Sequence, residues 1–219
     1  MNIASLIDHC LLKPTATIAE VDQLCAEATA NKFRAVGVLP LFVKRTKELL
    51  KDSAVKTATI VGFPFGHSVI EAKLAETVLA IVDGADEIEL VINLSALKNA
   101  DWQYLAKEIN TIMPVIKTKG RAIKVILETG LLNDTEIKTC CDVYGAAGVD
   151  MIKTSSGYAA TIVSVDTVKL LRRHLADAVK INAGGGINNY ETVKELLEAG
   201  ADNISTENSI EIVKLAAAF

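Results

Sequence analysis

The 219 residues carry a formal net charge of −4, a sequence pI near 5.5 and a mean hydropathy of +0.31, and half of them are hydrophobic. That length and apolar content suit one packed domain covering 1–219. The acidic balance lacks the basic footprint that nucleic acid or an anionic membrane selects for, so neither is an expected partner.

The chain begins Met1-Asn2-Ile3-Ala4-Ser5-Leu6-Ile7-Asp8-His9, reaching an acid and an imidazole before any apolar run long enough for a signal peptide or a membrane span. A soluble, unprocessed protein is expected. From there, short β-rich apolar runs alternate with longer amphipathic ones. Strands are predicted at 6–10, 35–39, 57–61, 87–92, 122–127, 151–154, 178–181 and 203–205. Helices are predicted between them at 18–30, 69–82, 102–117, 134–146, 163–175 and 190–199. Trp102 and Tyr104 open one of these helices and read as packing residues with no role in a site.

An internal repeat punctuates the series. Asp83-Gly84-Ala85-Asp86, Ala147-Gly148-Val149-Asp150 and Ala199-Gly200-Ala201-Asp202 each place a glycine where a helix stops through a left-handed residue before the next strand. Eight such βα units predict an α/β fold, a (β/α)8 TIM barrel, with an open doubly wound sheet as the alternative. In a barrel the active site forms at the C-terminal strand ends, which draws Glu89, Lys153, Asn182 and the Thr206 region together.

The four cysteines, Cys10, Cys25, Cys140 and Cys141, show no Cys-x-x-Cys spacing, so reduced thiols and a cytoplasmic setting are expected. His9, His67 and His174 have no paired spacing, and no metal is expected. Lys153 stands out, because it closes the apolar run Val149-Asp150-Met151-Ile152 just before Thr154-Ser155-Ser156-Gly157-Tyr158. Desolvation can lower a buried lysine pKa by roughly 3 to 5 units, and the neutral amine that results attacks carbonyls. The residues alone leave open a second reading, a lysine whose stem lies in the core while its head reaches water.

Several further motifs occur in order along the chain: Ile7-Asp8-His9-Cys10-Leu11-Leu12-Lys13-Pro14, Val61-Gly62-Phe63-Pro64-Phe65-Gly66, Gly84-Ala85-Asp86-Glu87-Ile88-Glu89, Lys124-Val125-Ile126-Leu127-Glu128-Thr129-Gly130, Ile152-Lys153-Thr154-Ser155-Ser156-Gly157 and Gly185-Gly186-Ile187. With them the sequence resembles the deoxyribose-phosphate aldolase family over nearly its whole length. The resemblance implies a class I aldolase without metal or organic cofactor, joining or cleaving acetaldehyde and an aldehyde phosphate through a lysine Schiff base. Lys153 occupies the place of that lysine. A homodimer with a small aldehyde or sugar substrate is expected.

The sequence departs from the family pattern at the site itself. Glu89 stands where the family has aspartate, and Gly37 where cysteine is usual, so the lost bulk is expected to accommodate the longer acid. Asn182 takes the place of a second lysine three residues before the Gly-Gly, and an amide carries no charge. Lys180, on the same strand face, and Lys124, on the fifth strand, are the candidate substitutes, with Lys180 also readable as facing outward at the barrel floor.

At the phosphate end Gly157, Gly185 and Gly186 remain. Asn188 stands where arginine is common, Glu207-Asn208 replace a serine pair, and the loop after Tyr158 looks shortened before Ala160-Thr161. A carboxylate about 4 Å from a phosphate charge costs roughly 4 kcal/mol per charge pair at an effective dielectric of about 20, so Glu207 argues against a phosphorylated substrate. Glu207 also suits the start of a last helix with Asn208 as N-cap and Glu211 closing a capping box. Asp8 matches a substrate-pocket aspartate, while Cys10 replaces threonine and reads as a packing thiol. Three functions remain: an ordinary deoxyribose-phosphate aldolase, a paralogue doing aldol chemistry on an unphosphorylated substrate, and a catalytically silent binding barrel.

Overall fold

The computed structural model describes residues 3–159 and 163–216. Eight parallel strands close into a barrel in sequence order: β1 (Ile7–Leu11), β2 (Ala35–Val38), β3 (Lys56–Val61), β4 (Glu87–Val91), β5 (Ala122–Ile126), β6 (Met151–Lys153), β7 (Lys180–Gly184) and β8 (Asn203–Thr206). Closure comes from β1 pairing with β8, Asp8 opposite Ser205, which excludes the open doubly wound sheet. The chain is therefore a (β/α)8 TIM barrel.

Each crossover carries helix. These are α1 (Ile18–Asn31), α2 (Val43–Leu49), α3 (Ile70–Val82), α4 (Leu94–Lys98), α5 (Trp102–Thr118), α6 (Asp134–Ala147), α7 (Val165–His174), α8 (Tyr190–Glu198) and α9 (Ser209–Ala216). Their starts follow local chemistry. Thr17 and Asn133 each close a capping box, with Glu20 and Glu136 as the reciprocal partners. The repeated glycines do what their spacing predicts, Gly84, Gly148 and Gly200 all adopting positive φ between a helix and the next strand. No helix among the described residues is long and apolar enough to cross a membrane.

Two differences from the sequence reading matter. Helices α2 and α4 are too short to show a periodicity of their own. The seventh strand starts at Lys180 rather than at residue 178, because Ala178 lies in a turn, and it runs on through Ala183 and Gly184. That shift puts Asn182 at the strand centre, opposite both Lys153 and Asn203. Ala160 and Thr161, where the shortened loop was expected, lie outside the described residues.

Strand alternation divides the barrel into two environments. One set of side chains, including Ile7, Val36, Ile88, Leu90, Ile123, Val125, Ile152, Ile181 and Ile204, packs into the apolar cluster it shares with the helices. The other set faces the barrel axis. Instead of the branched aliphatic layers that usually fill such a barrel, it holds Asp8, Glu87, Glu89, Lys124, Lys153, Asn182, Asn203 and Ser205, all buried. Ala35, Gly37 and Ala58, small residues on β2 and β3, leave room for these long polar chains.

Candidate active site

Lys153 ends β6 and is 2 % exposed. Its Nζ donates to Glu89 Oε2 at 2.7 Å. The other carboxylate oxygen, Oε1, accepts from Lys124 Nζ at 2.8 Å, so one acid bridges two lysines. Lys124 lies opposite Met151, one inward step below Lys153, and also donates to Asp8 Oδ2 at 2.8 Å.

Asp8 is crowded with donors. Asn182 Nδ2 reaches its Oδ2 at 3.0 Å, Asn203 Nδ2 at 3.2 Å and Ser205 Oγ at 3.4 Å. The Asn182 Oδ1 accepts from Ser205 Oγ at 2.7 Å. Beneath them the Arg34 guanidinium forks to both oxygens of Asp8 and of Glu87.

Charge and burial oppose one another throughout this column. Burial raises the Glu87 carboxyl, but Lys124 and the Arg34 hydrogen bonds outweigh it and hold its pKa down at about 2. Asp8 and Glu89 are lowered against the same desolvation, Asp8 by Lys124 and Arg34, Glu89 by Lys124 and Lys153. Burial disfavours the Lys124 ammonium, yet Asp8, Glu89 and Glu87 raise its pKa above the ordinary lysine value. Cys10, by contrast, is pushed up to about 11 by burial and stays a thiol.

Above Lys153 opens a cavity of about 230 Å³. Its walls come from the loops after β1, β6, β7 and β8, and they bring together Lys153, Gly157, Gly185, Gly186, Asn188, Glu207 and Asn208. Glu89, Asn182 and Asp8 do not line it and lie below the amine instead. Asn208 donates its side-chain amide to Asn188 Oδ1 at 2.7 Å, linking the loops after β7 and β8.

Lys180 is exposed and sits 3.9 Å from Asp202 on the outer floor, so Lys124 is the second lysine beside the site. The expected compensation between Gly37 and Glu89 is not what the geometry shows. A Cβ on Gly37 would lie 3.0 Å from Cys10 Sγ, so its lost bulk makes room for the Cys10 thiol on the adjacent strand.

Several residues with a part in the site escaped the sequence reading. Gly184 is one, since a Cβ there would meet Lys153 Cε at 3.2 Å and Ser205 Cβ at 3.3 Å. Glu128, buried and left-handed at φ 58°, accepts from Ser155 Oγ and from the Ser156 amide, and so fixes the loop that follows Lys153 from the end of β5. Arg34 is the third. Its signal was a lone arginine at the foot of an apolar strand, which a surface position would equally produce.

A parallel barrel with a buried lysine under a cavity, held by an acid that can exchange its proton, is built for carbonyl chemistry through an amine. Comparison with known proteins gives the class. Residues 3–202 match the model of the DeoC/LacD family aldolases. A protein named deoxyribose-phosphate aldolase from Caldanaerobacter subterraneus subsp. tengcongensis is 42 % identical over 215 residues, 98 % of this chain and 93 % of the relative. Another of that name from Caldicellulosiruptor saccharolyticus is 42 % identical over 213 residues, covering 97 % of each.

Among solved structures, one titled "QR15, an Aldolase" superposes with a TM-score of 0.93 at 33 % identity, covering 99 % of this chain and 96 % of that one. A tetrameric deoxyribose phosphate aldolase from Aeropyrum pernix gives 0.92 at 30 % identity, covering 99 % and 91 %. The protein belongs to the DeoC/LacD aldolase family and is a lyase.

Proposed function

We propose that the protein is a Schiff-base aldolase that cleaves 2-deoxyribose 5-phosphate, the sugar in the names of its relatives, to acetaldehyde and glyceraldehyde 3-phosphate. The observation that carries this reading is the Lys153 amine, buried at the base of a cavity and 2.7 Å from the Glu89 carboxylate.

The chemistry follows from that placement. Lys153 condenses with the aldehyde carbon and water leaves, giving a protonated imine. Removal of the proton from the β-hydroxyl lets the adjacent carbon–carbon bond break, its electron pair moving into the imine to form an enamine. Protonation of the enamine and hydrolysis release acetaldehyde and return the amine. Glu89 carries protons to and from Lys153, and Lys124 holds its second oxygen in place.

A specific observation favours a second reading, turnover of an unphosphorylated aldehyde. Among the described residues lining the cavity Lys153 is the only lysine or arginine, and Glu207 stands at the rim. Three backbone amides at the cavity are already engaged, Gly157 by Ser155 Oγ at 3.0 Å, Tyr158 by Ser156 Oγ at 3.1 Å and Asn208 by Thr206 Oγ1 at 3.0 Å.

Two measurements test both. Borohydride reduction in the presence of acetaldehyde should leave a mass adduct on Lys153, and its absence would favour a silent barrel. If trapping succeeds, the first reading expects the 5-phosphate to be cleaved ahead of free deoxyribose by the orders of magnitude that a working phosphate site supplies. Equal turnover of the two sugars, or a preference for the free one, would remove that reading and establish the second.

The reading extends to a cytoplasmic homodimer acting on a small molecule. Free, buried cysteines support the location. An apolar stripe along the outer face of α3, where Leu79 is 64 % and Val82 75 % exposed, supports association through that helix. Sedimentation should show a dimer that Leu79→Glu converts to monomer, and a monomer at all concentrations would remove this part.

A further inference from the structure

The column beneath the site poses an electrostatic question that Lys153 and Glu89 alone do not answer. The charged groups of the column below Lys153 are Glu89, which it touches, and Glu87 from β4, Lys124 from β5, Asp8 from β1 and Arg34 from the foot of β2, with the neutral Cys10 beside them, and above it Glu207 shares the cavity. The strands β7 and β8 contribute the uncharged Asn182, Asn203 and Ser205, and β3 contributes Ala58 and Ile60. Three carboxylates thus meet three cations. Among the described residues Lys56, half in solvent, adds to them from outside, 3.2 Å from Glu87.

Arg34 decides how the acids are shared. It takes both oxygens of Asp8 and both of Glu87, with contacts of 2.5 to 2.8 Å. Lys124 is thereby left to divide itself between Asp8 and Glu89, with Glu87 at 3.5 Å. Glu89 in turn is only half available to Lys153.

We propose that Arg34 is the positioning residue that keeps Lys153 competent as a nucleophile, supplying from the barrel floor the positive charge that Asn182 cannot supply. Without it, Lys124 is drawn down toward Asp8 and Glu87. Glu89 is then released to hold Lys153 as a full ammonium, which cannot attack a carbonyl. This rests on the Schiff-base reading, and it assigns Arg34 no contact with substrate.

The test is the pH dependence of reductive trapping of Lys153 by acetaldehyde and cyanoborohydride, followed by mass spectrometry from about pH 6 to about pH 10. Arg34→Met should move the midpoint up by about one pH unit, the size of a unit charge acting over about 10 Å at an effective dielectric of about 20, and slow trapping at neutral pH about tenfold. Glu87→Gln, which removes a charge of the opposite sign, should move the midpoint down.

The balanced double variant Arg34→Met/Glu87→Gln should return it close to the parent value, as should Arg34→Lys. A clamp acting only through structure would leave every midpoint in place and would be worse in the double variant than in either single one. If Arg34→Met does not fold, the sign of the Glu87→Gln shift decides, and no shift or an upward one overturns the proposal. No adduct on Lys153 in the parent removes the aldolase reading itself, whereas an adduct with unmoved midpoints removes only the role of Arg34.

Discussion

Lys153→Met should reduce retro-aldol turnover by on the order of 10⁴-fold or more while leaving a folded barrel, because the covalent route loses the amine that opens onto the cavity. Lys153 is the only amine among the described lining residues. Methionine keeps the packing of the stem against Gly184, and Glu89 keeps its 2.8 Å bond from Lys124. The measurement is acetaldehyde release, with circular dichroism to confirm folding and trapping to confirm that the adduct is gone. Residual turnover within about 100-fold of the parent would mean that another group carries the reaction.

The barrel was legible in the sequence because its signals are local. Val36, Val38, Ile88, Leu90, Ile123 and Val125 alternate with the axial residues, and Gly84, Gly148 and Gly200 mark the returns. The seventh strand was displaced by two residues because Ala178 and Val179 look as extended as Ala183 and Gly184. Pairing to β6 and β8 decides between them, and pairing is not local. Lys153 could be read from its position at the end of an apolar run.

The rest of the site depends on closure. Lys124 and Lys180 are equally good candidates along their strands, and only the barrel puts Lys124 within 2.8 Å of Asp8, 116 residues away in sequence. Arg34 precedes β2 with the parity of outward-facing residues, so alternation assigns it to the wrong side. Its side chain instead turns under the barrel floor, where Asp8 and Glu87 attract it. The partner of Gly37 was misread for the same reason, since Cys10 is its neighbour across strands and Glu89 is not.

Lys124→Met should cost about 3 to 5 kcal/mol at neutral pH, because it strands buried carboxylates without removing the water-free surroundings that penalise them. The pH dependence separates charge from packing. Asp8, Glu87 and Glu89 all have folded pKa values below their ordinary ones, Glu87 at about 2 against 4.5. Their contribution is complete above the ordinary carboxylate range and is lost as pH falls through the folded values. Lys124 is shifted the other way, upward, so its contribution is complete below the ordinary lysine range and is lost only as pH rises beyond it. The gap in stability between parent and variant, measured by urea unfolding, should therefore be widest and flat from about pH 5 to about pH 9 and narrow steadily below about pH 4. In strong acid the parent holds a buried ammonium with no ionised partner, and the variant should match or exceed it. A gap that stays constant into acid would show that Lys124 acts by filling space, and the account of the column as a shared charge network would fail with it.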